Sequence, residues 1–261
     1  MVSLVEMAKR TYDIDPDRVM VAGFSMGGTG SWFHAGRHPH LYAAAFPFSG
    51  VIFPDRRDGK VHAIHHGLVP NVRHVPSITP PAPTTPSAPD TYVFAEEMLA
   101  KLRADHDGYE THFQLAPKVA HAFPAGEPQG AFEFMTNKKR RTFPKTLTWE
   151  VSASPLPDGD GRLVSRDFYW LRFESPADFQ RTEAKIEGQE VHVTVTKKEP
   201  PLGLTIYLSP ELLDVTKEVT VFVNDIVKFR GVLEPSFSAI LESMSARLDR
   251  SMVFDRRIEV P

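Results

Sequence analysis

Gly23-Phe24-Ser25-Met26-Gly27 sets one serine between two glycines, each two positions away. An apolar run, Val19-Met20-Val21-Ala22, ends just before it, and a helix-forming segment starts just after. A serine at a sharp strand-to-helix corner sits on a strained backbone with its hydroxyl at the tip. Side chains two positions either way would crowd such a corner, which is a reason for glycine there. The corner also sets Ser25 at a helix N-terminus, where the amide of Met26 can donate to a developing oxyanion. The chemistry these residues suit is nucleophilic attack by Ser25, activated by a base elsewhere in the chain. A five-residue pattern recurs by chance, and the strand before and helix after are what separate it from an incidental Gly-rich turn.

Composition narrows the rest. Among 261 residues there is no cysteine, which removes thiolate nucleophiles, disulfides and thiolate metal sites and leaves Ser, His and carboxylates to react. A net charge of −3 gives no electrostatic reason to expect nucleic acid or an anionic membrane as partner. Hydrophobic residues at 41% and charged ones at 24% match a globular chain. No apolar run approaches the roughly 18 residues that cross a bilayer, and Met1 to Arg10 reads as an amphipathic helix rather than a signal peptide. His34, His38 and His40, and then His62, His65 and His66, form two clusters without recognised ligand spacing. No metal and no organic cofactor is expected.

The elements that must position the serine alternate helix and strand over residues 1–145, implying an α/β unit with a parallel sheet and flanking helices. After Val19–Ala22 the pattern predicts a helix from Gly28 to about Arg37, stopped before His38-Pro39 because the residue preceding proline disfavours helical angles. Tyr42 to Phe48 reads as a buried strand, and Val75 to Thr79 as the start of a third. Pro80, Pro81, Pro83, Pro86 and Pro89 follow, so the continuation is expected to be loop. Thr91 to Ala104 reads as a helix, Tyr109 to Leu115 as a strand and Glu127 to Arg141 as a closing helix. Its basic end, Lys138-Lys139-Arg140-Arg141, is assigned to offsetting the helix dipole.

From 146 to 261 the texture is that of a β-rich domain, with strands expected at Thr146–Ser152, Arg166–Phe173, Glu190–Thr196, Leu204–Leu208 and Val219–Val223. Asn224-Asp225 is expected to turn a hairpin, since both residues tolerate left-handed angles. Phe237, Ile240, Leu241, Met244 and Leu248 recur at helical spacing. Phe168, Tyr169 and Trp170 are either core or an aromatic strip for a sugar or polymer.

Asp15-Pro16-Asp17-Arg18-Val19, Gly23-Phe24-Ser25-Met26-Gly27-Gly28, Gly30-Ser31-Trp32 and His38-Pro39 together resemble the α/β-hydrolase superfamily. Within it they look like the peptidases and esterases related to prolyl oligopeptidase and polyhydroxybutyrate depolymerase. The resemblance implies a partial α/β-hydrolase sheet over residues 1–145, lacking the family's N-terminal part. It also implies the triad order serine, acid, histidine. His121, in Ala120-His121-Ala122-Phe123-Pro124, occupies the position of the family's histidine and is the expected general base. The family's His-Gly turn and aspartate do not match Pro80-Pro81-Ala82-Pro83-Thr84-Thr85, so the acid is assigned to Asp90, which is equally suited to capping the helix that follows. Asp105 and Asp107 are poorer choices at the far end of that helix.

Two functions follow. One is a serine hydrolase cleaving small ester or peptide substrates through an acyl-enzyme on Ser25, with His121, Asp90 and the Met26 amide. The other is an inactive remnant or binding module that keeps the corner as scaffold. The short stretch before Val19 leaves one edge of that strand without a neighbour, so cover is expected from a second copy, the β-rich domain or upstream residues.

Overall fold

The computed structural model describes residues 2–50, 54–57, 60–64, 68–83, 99–116, 128–151, 165–177, 180–196, 203–247 and 249–260. The chain divides into two compact units. One is built on Asp17–Arg141, and the other combines Met1–Pro16, Thr142–Val151 and Val164–Pro261.

The Asp17–Arg141 unit holds a four-stranded sheet in the order β1 (Met20–Phe24), β2 (Ala44–Phe48), β5 (Ser77–Pro83), β6 (Thr111–Ala116). Every pairing in it is parallel. All five residues of β2 are buried, as expected of a central parallel strand covered on both faces. α2 (Met26–Arg37) follows β1 and buries Trp32 and Ala35. α5 (Pro128–Thr136) sets Ala131 and Met135 against Ala44, Phe46 and Phe48. A short helix α3 (Leu68–Asn71) is tied to α2, where the Asn71 side-chain amide donates to the Gly36 carbonyl at 2.9 Å. Residues 99–105 form α4, with Leu99 and Leu102 buried.

Three expectations are corrected here. β5 runs through Pro80, Pro81 and Pro83 rather than ending at Thr79. Its ladder to β2 is one residue pair, Ala45↔Ser77, and its register to β6 breaks between Thr79 and Ala82. The prolines therefore fall at an irregularity and along an edge that asks little of their missing N–H groups. The connecting segment with His62 holds an antiparallel pair, β3 (Pro54–Arg57) and β4 (Lys60–Ile64). The closing helix stops at Thr136, so the basic cluster lies beyond it. Lys138 pairs with Glu110, and Arg140 donates to Asp17 Oδ1 and to the His40 carbonyl, both at 2.8 Å. Arg140 is thus a buried clasp and not a dipole-compensating charge.

In the other unit, α1 (Val2–Thr11) accompanies two sheets. One is ordered β14-β13-β11-β10-β7, from Ile226–Gly231, Val219–Val223, Glu190–Thr196, Arg181–Glu187 and Thr146–Glu150. The second is ordered β15-β12-β9-β8, from Arg256–Val260, Leu204–Leu208, Leu171–Phe173 and Asp167–Phe168. Their inner faces share one core containing Trp149, Trp170, Phe173, Val193 and Ile206. Phe168, Tyr169 and Trp170 are each at most 1% exposed, which removes the ligand-strip reading. The expected single strand over them is two short ones, because Tyr169 turns the chain at φ 52°. Asn224 and Asp225 make the hairpin turn at φ 49° and 63°. α6 (Phe237–Arg247) completes the unit.

Candidate active site

β1 delivers Ser25 to the N-terminus of α2. Its backbone lies at φ 56°, ψ −116°, a region that a residue with a side chain occupies at a cost of about 1–3 kcal/mol. Something must hold it there. The Ser25 N–H donates to the Phe48 carbonyl at the end of β2, 2.9 Å away, and its carbonyl accepts from the Thr29 N–H at 3.0 Å, closing the first helical turn. The rings of Phe24 and Phe48 stack at 5.2 Å on the strand side.

The glycines divide in their roles. A Cβ on Gly23 would lie 2.2 Å from the Gly27 carbonyl oxygen, so Gly23 must lack one. A Cβ on Gly27 would meet nothing within 4 Å. The symmetry implied by two flanking glycines is thus corrected: crowding acts at Gly23, and Gly27 supplies the backbone that Gly23 approaches. Sequence reasoning missed a second close approach. A Cβ on Gly28 would stand 2.3 Å from the Phe48 carbonyl oxygen, and one on Gly50 would stand 2.2 Å from the carbonyl carbon of Gly28. Ser49, between Phe48 and Gly50, also takes a positive φ of 46°. Two turns pack backbone to backbone, and the only sequence signal was the pairing of Gly28 with a Ser-Gly step after an apolar strand.

The Ser25 side chain is half-buried and makes no capping hydrogen bond to α2. A serine at a helix start ordinarily spends its oxygen on the N–H groups of the first turn, and here the backbone angles prevent that. Met26 and Gly27 open the helix, where amides lack intrahelical acceptors and the dipole favours negative charge. Met26 is 87% exposed, so this helix start is open to solvent. Chemically, the arrangement offers a hydroxyl on a strained tip beside amides suited to an anionic oxygen.

Ser25 and Met26 are thus brought together, while Asp90 and His121 lie outside the described residues. Asp107 is engaged elsewhere, as Arg73 donates to its Oδ1 at 2.5 Å. That guanidinium holds the Asp107 carboxyl below the usual carboxylate range. Among the described residues no group of histidines and carboxylates could hold a metal, and no helix is long and apolar enough to cross a membrane.

Comparison with curated proteins returns no match. Among solved structures, a thermostable esterase matches at 22% identity with a TM-score of 0.40, covering 53% of this chain and 36% of its own. The chain therefore spans about a third of that esterase's length. A family model described as "Putative esterase" matches residues 2–231, which include Ser25 and most of the β-rich unit. With its parallel sheet, flanking helices and strained serine corner, the chain belongs to this esterase family of α/β-hydrolase type.

Proposed function

We propose that the chain hydrolyses carboxylic esters through an acyl-enzyme on Ser25. The observation that carries this reading is the backbone of Ser25: a positive-φ serine at a strand-to-helix junction, its oxygen kept out of the helix cap, in a member of an esterase family. A strain of about 1–3 kcal/mol is retained where the surroundings over-determine it, and such residues cluster at functional sites.

In this mechanism the Ser25 hydroxyl oxygen attacks the ester carbonyl carbon, and the carbonyl electron pair moves onto oxygen. The Met26 amide donates to that oxyanion. One such donor is worth about 10²- to 10³-fold in turnover. His121 takes the hydroxyl proton and returns it to the departing alcohol, and Asp90 orients the imidazole. Water, deprotonated by the same base, then attacks the acyl carbon and restores Ser25. His121 and Asp90 enter from sequence order alone, and the mechanism calls on no metal or organic cofactor. Esters are preferred to peptides because the family is one of esterases; a prolyl-oligopeptidase-like cleavage is the finer alternative.

A second reading, a scaffold that keeps the corner without the reaction, draws support from β1 standing at the edge of the described sheet. The second oxyanion donor of such enzymes comes from a loop after another strand, and none of the described strands lies on that side. A fluorophosphonate probe separates the two. Covalent labelling of the native protein that disappears in Ser25→Ala supports the esterase. Folded protein that takes no label supports the scaffold.

A further inference from the structure

In the β-rich unit, a cavity of about 470 Å³ opens between the end of α1 and α6, and Ser25 is not among the residues that line it. This is within the range of small-molecule sites, about 300–1,000 Å³. At roughly 30 Å³ of liquid per water, it admits a ligand of about fifteen non-hydrogen atoms.

Its apolar wall comes from both sides. Tyr12 and Ile14 follow α1, while Leu241 and Met244 sit one turn apart on α6. Tyr12, Leu241 and Met244 are 69%, 51% and 41% exposed, a concentration of large apolar side chains at one opening. A stripe of this kind on a helix normally faces a core.

The charges lining the cavity do not balance. Lys9, Arg10 and Arg250 face Asp13 and Asp249. Asp249 is committed: its Oδ2 lies 3.4 Å from Lys9 Nζ with both side chains nearly solvent-free, and its Oδ1 accepts the Ser251 N–H at 3.0 Å. Asp13 pairs with Arg250 at 3.5 Å. Among the described residues Arg10 has no carboxylate partner. It leaves one positive charge at the mouth of an apolar cavity.

We infer that this cavity binds an amphipathic organic anion, an aliphatic or aromatic body of about fifteen non-hydrogen atoms carrying one carboxylate or sulfonate, with Arg10 taking the anion and Tyr12, Leu241 and Met244 the body. Charge complementarity selects this occupant over a neutral lipid or an apolar peptide, neither of which answers the guanidinium. Because Arg10 is exposed, its preference for an anion is screened by salt.

The test uses 5-(dimethylamino)naphthalene-1-sulfonate, an environment-sensitive fluorescent anion of about this size, as probe on the full chain, with decanoate and 1-decanol as competitors. The expected result is saturable binding of one probe per chain, displaced at least fivefold more effectively by decanoate than by decanol at low salt. Arg10→Gln makes the two competitors equal, and Leu241→Asp abolishes probe binding. Both positions are surface-exposed, so the folded state, followed by circular dichroism, is retained. The proposal is overturned by non-saturable uptake, by equal competition in the native protein, or by unchanged binding in Leu241→Asp. It is also overturned if sedimentation shows the probe excluded by self-association, which would give this face to a second copy, or if the chain binds neutral phosphatidylcholine vesicles more tightly than decanoate.

Discussion

Around Ser25 the backbone is held in place by residues that have no side chain, whereas around Trp170 it is held by the largest side chains the chain possesses. In the first region Gly23 approaches Gly27, and Gly28 approaches Phe48 and Gly50, at distances no Cβ would allow. In the second, Trp149 and Phe168 stack at 5.0 Å with 4° between their planes, and Trp170 is wholly enclosed. Close backbone contact transmits position, since a carbonyl or amide cannot swing aside. Side-chain packing supplies burial free energy, about 1.5–3 kcal/mol for each large apolar residue. The corner is therefore expected to be sensitive in geometry, and the β-rich unit in stability.

The largest effect separates the two at once. Ser25→Gly removes the nucleophile and relieves the positive φ, so ester turnover is expected to fall by about 10⁴-fold or more. Stability is expected to rise by about 1 kcal/mol, the relief of strain partly offset by the added freedom of glycine in the unfolded chain. Turnover of a p-nitrophenyl ester and urea melts measure both. A loss of stability would show that the corner is not strained.

Trp170→Ala probes the opposite regime. Its indole N–H donates to the Pro144 carbonyl at 2.7 Å from a fully buried site, so the substitution opens a cavity and orphans an acceptor. The expected cost is about 3–5 kcal/mol by urea unfolding. A cost below about 1 kcal/mol, the scale of an ordinary surface change, would mean that the aromatic cluster is not what holds this unit.

At the corner, Gly23→Ala adds one carbon where 2.2 Å separates it from the Gly27 carbonyl oxygen. An overpacking cost of about 1–3 kcal/mol is expected. Because the shift moves the first turn of α2, turnover should fall more than stability does. If turnover is kept while stability drops, the Met26 amide is not part of the reaction.

These expectations also measure what could be read in the sequence. The Ser25 corner was legible because a strand, two glycines and a helix start are local signals, and the Asn224-Asp225 hairpin was legible for the same reason. β10 was missed although Arg181–Glu187 alternates buried and exposed positions, since its charged face hides a short apolar one. β5 was cut short because proline is read against a full ladder, and its one-pair contact with β2 is a tertiary fact. The Gly28–Gly50 approach joins residues more than twenty positions apart and has no local signature. Arg140 was misread for a similar reason: its partners, Asp17 and His40, lie at the other end of the unit's chain. Asp90 and His121 were drawn from family order, and the described residues neither gather nor separate them.

A smaller effect comes from His38, the C-terminal cap of α2. Burial, reinforced by repulsion from His34 and Arg37, lowers its pKa to about 3, although part of the residue still meets solvent. A histidine neutral in the folded state and ordinary in the unfolded one contributes stability that is complete above about pH 6.5. That stability is lost as pH falls through the unfolded value toward 3. The slope for one proton is at most about 1.4 kcal/mol per pH unit, and the solvent-facing part of the ring reduces it. His38→Gln should flatten the melting curve between pH 6 and 4, and an unchanged slope would place the titrating group elsewhere.

The finest test is Gly27→Ala. Gly27 is the second residue of α2, and its added Cβ would meet nothing within 4 Å. Alanine outranks glycine in a helix by roughly 0.8–1.0 kcal/mol in the interior and by less in the first turn. The variant should therefore melt slightly higher than the parent, with the corner and its turnover intact. Gly23 and Gly27 look equivalent in the sequence, two positions either side of Ser25, and the structure makes one indispensable and the other replaceable. If Gly27→Ala proves as damaging as Gly23→Ala, the second glycine is kept for room that a substrate needs, and the space beside Ser25 is the place to look for it.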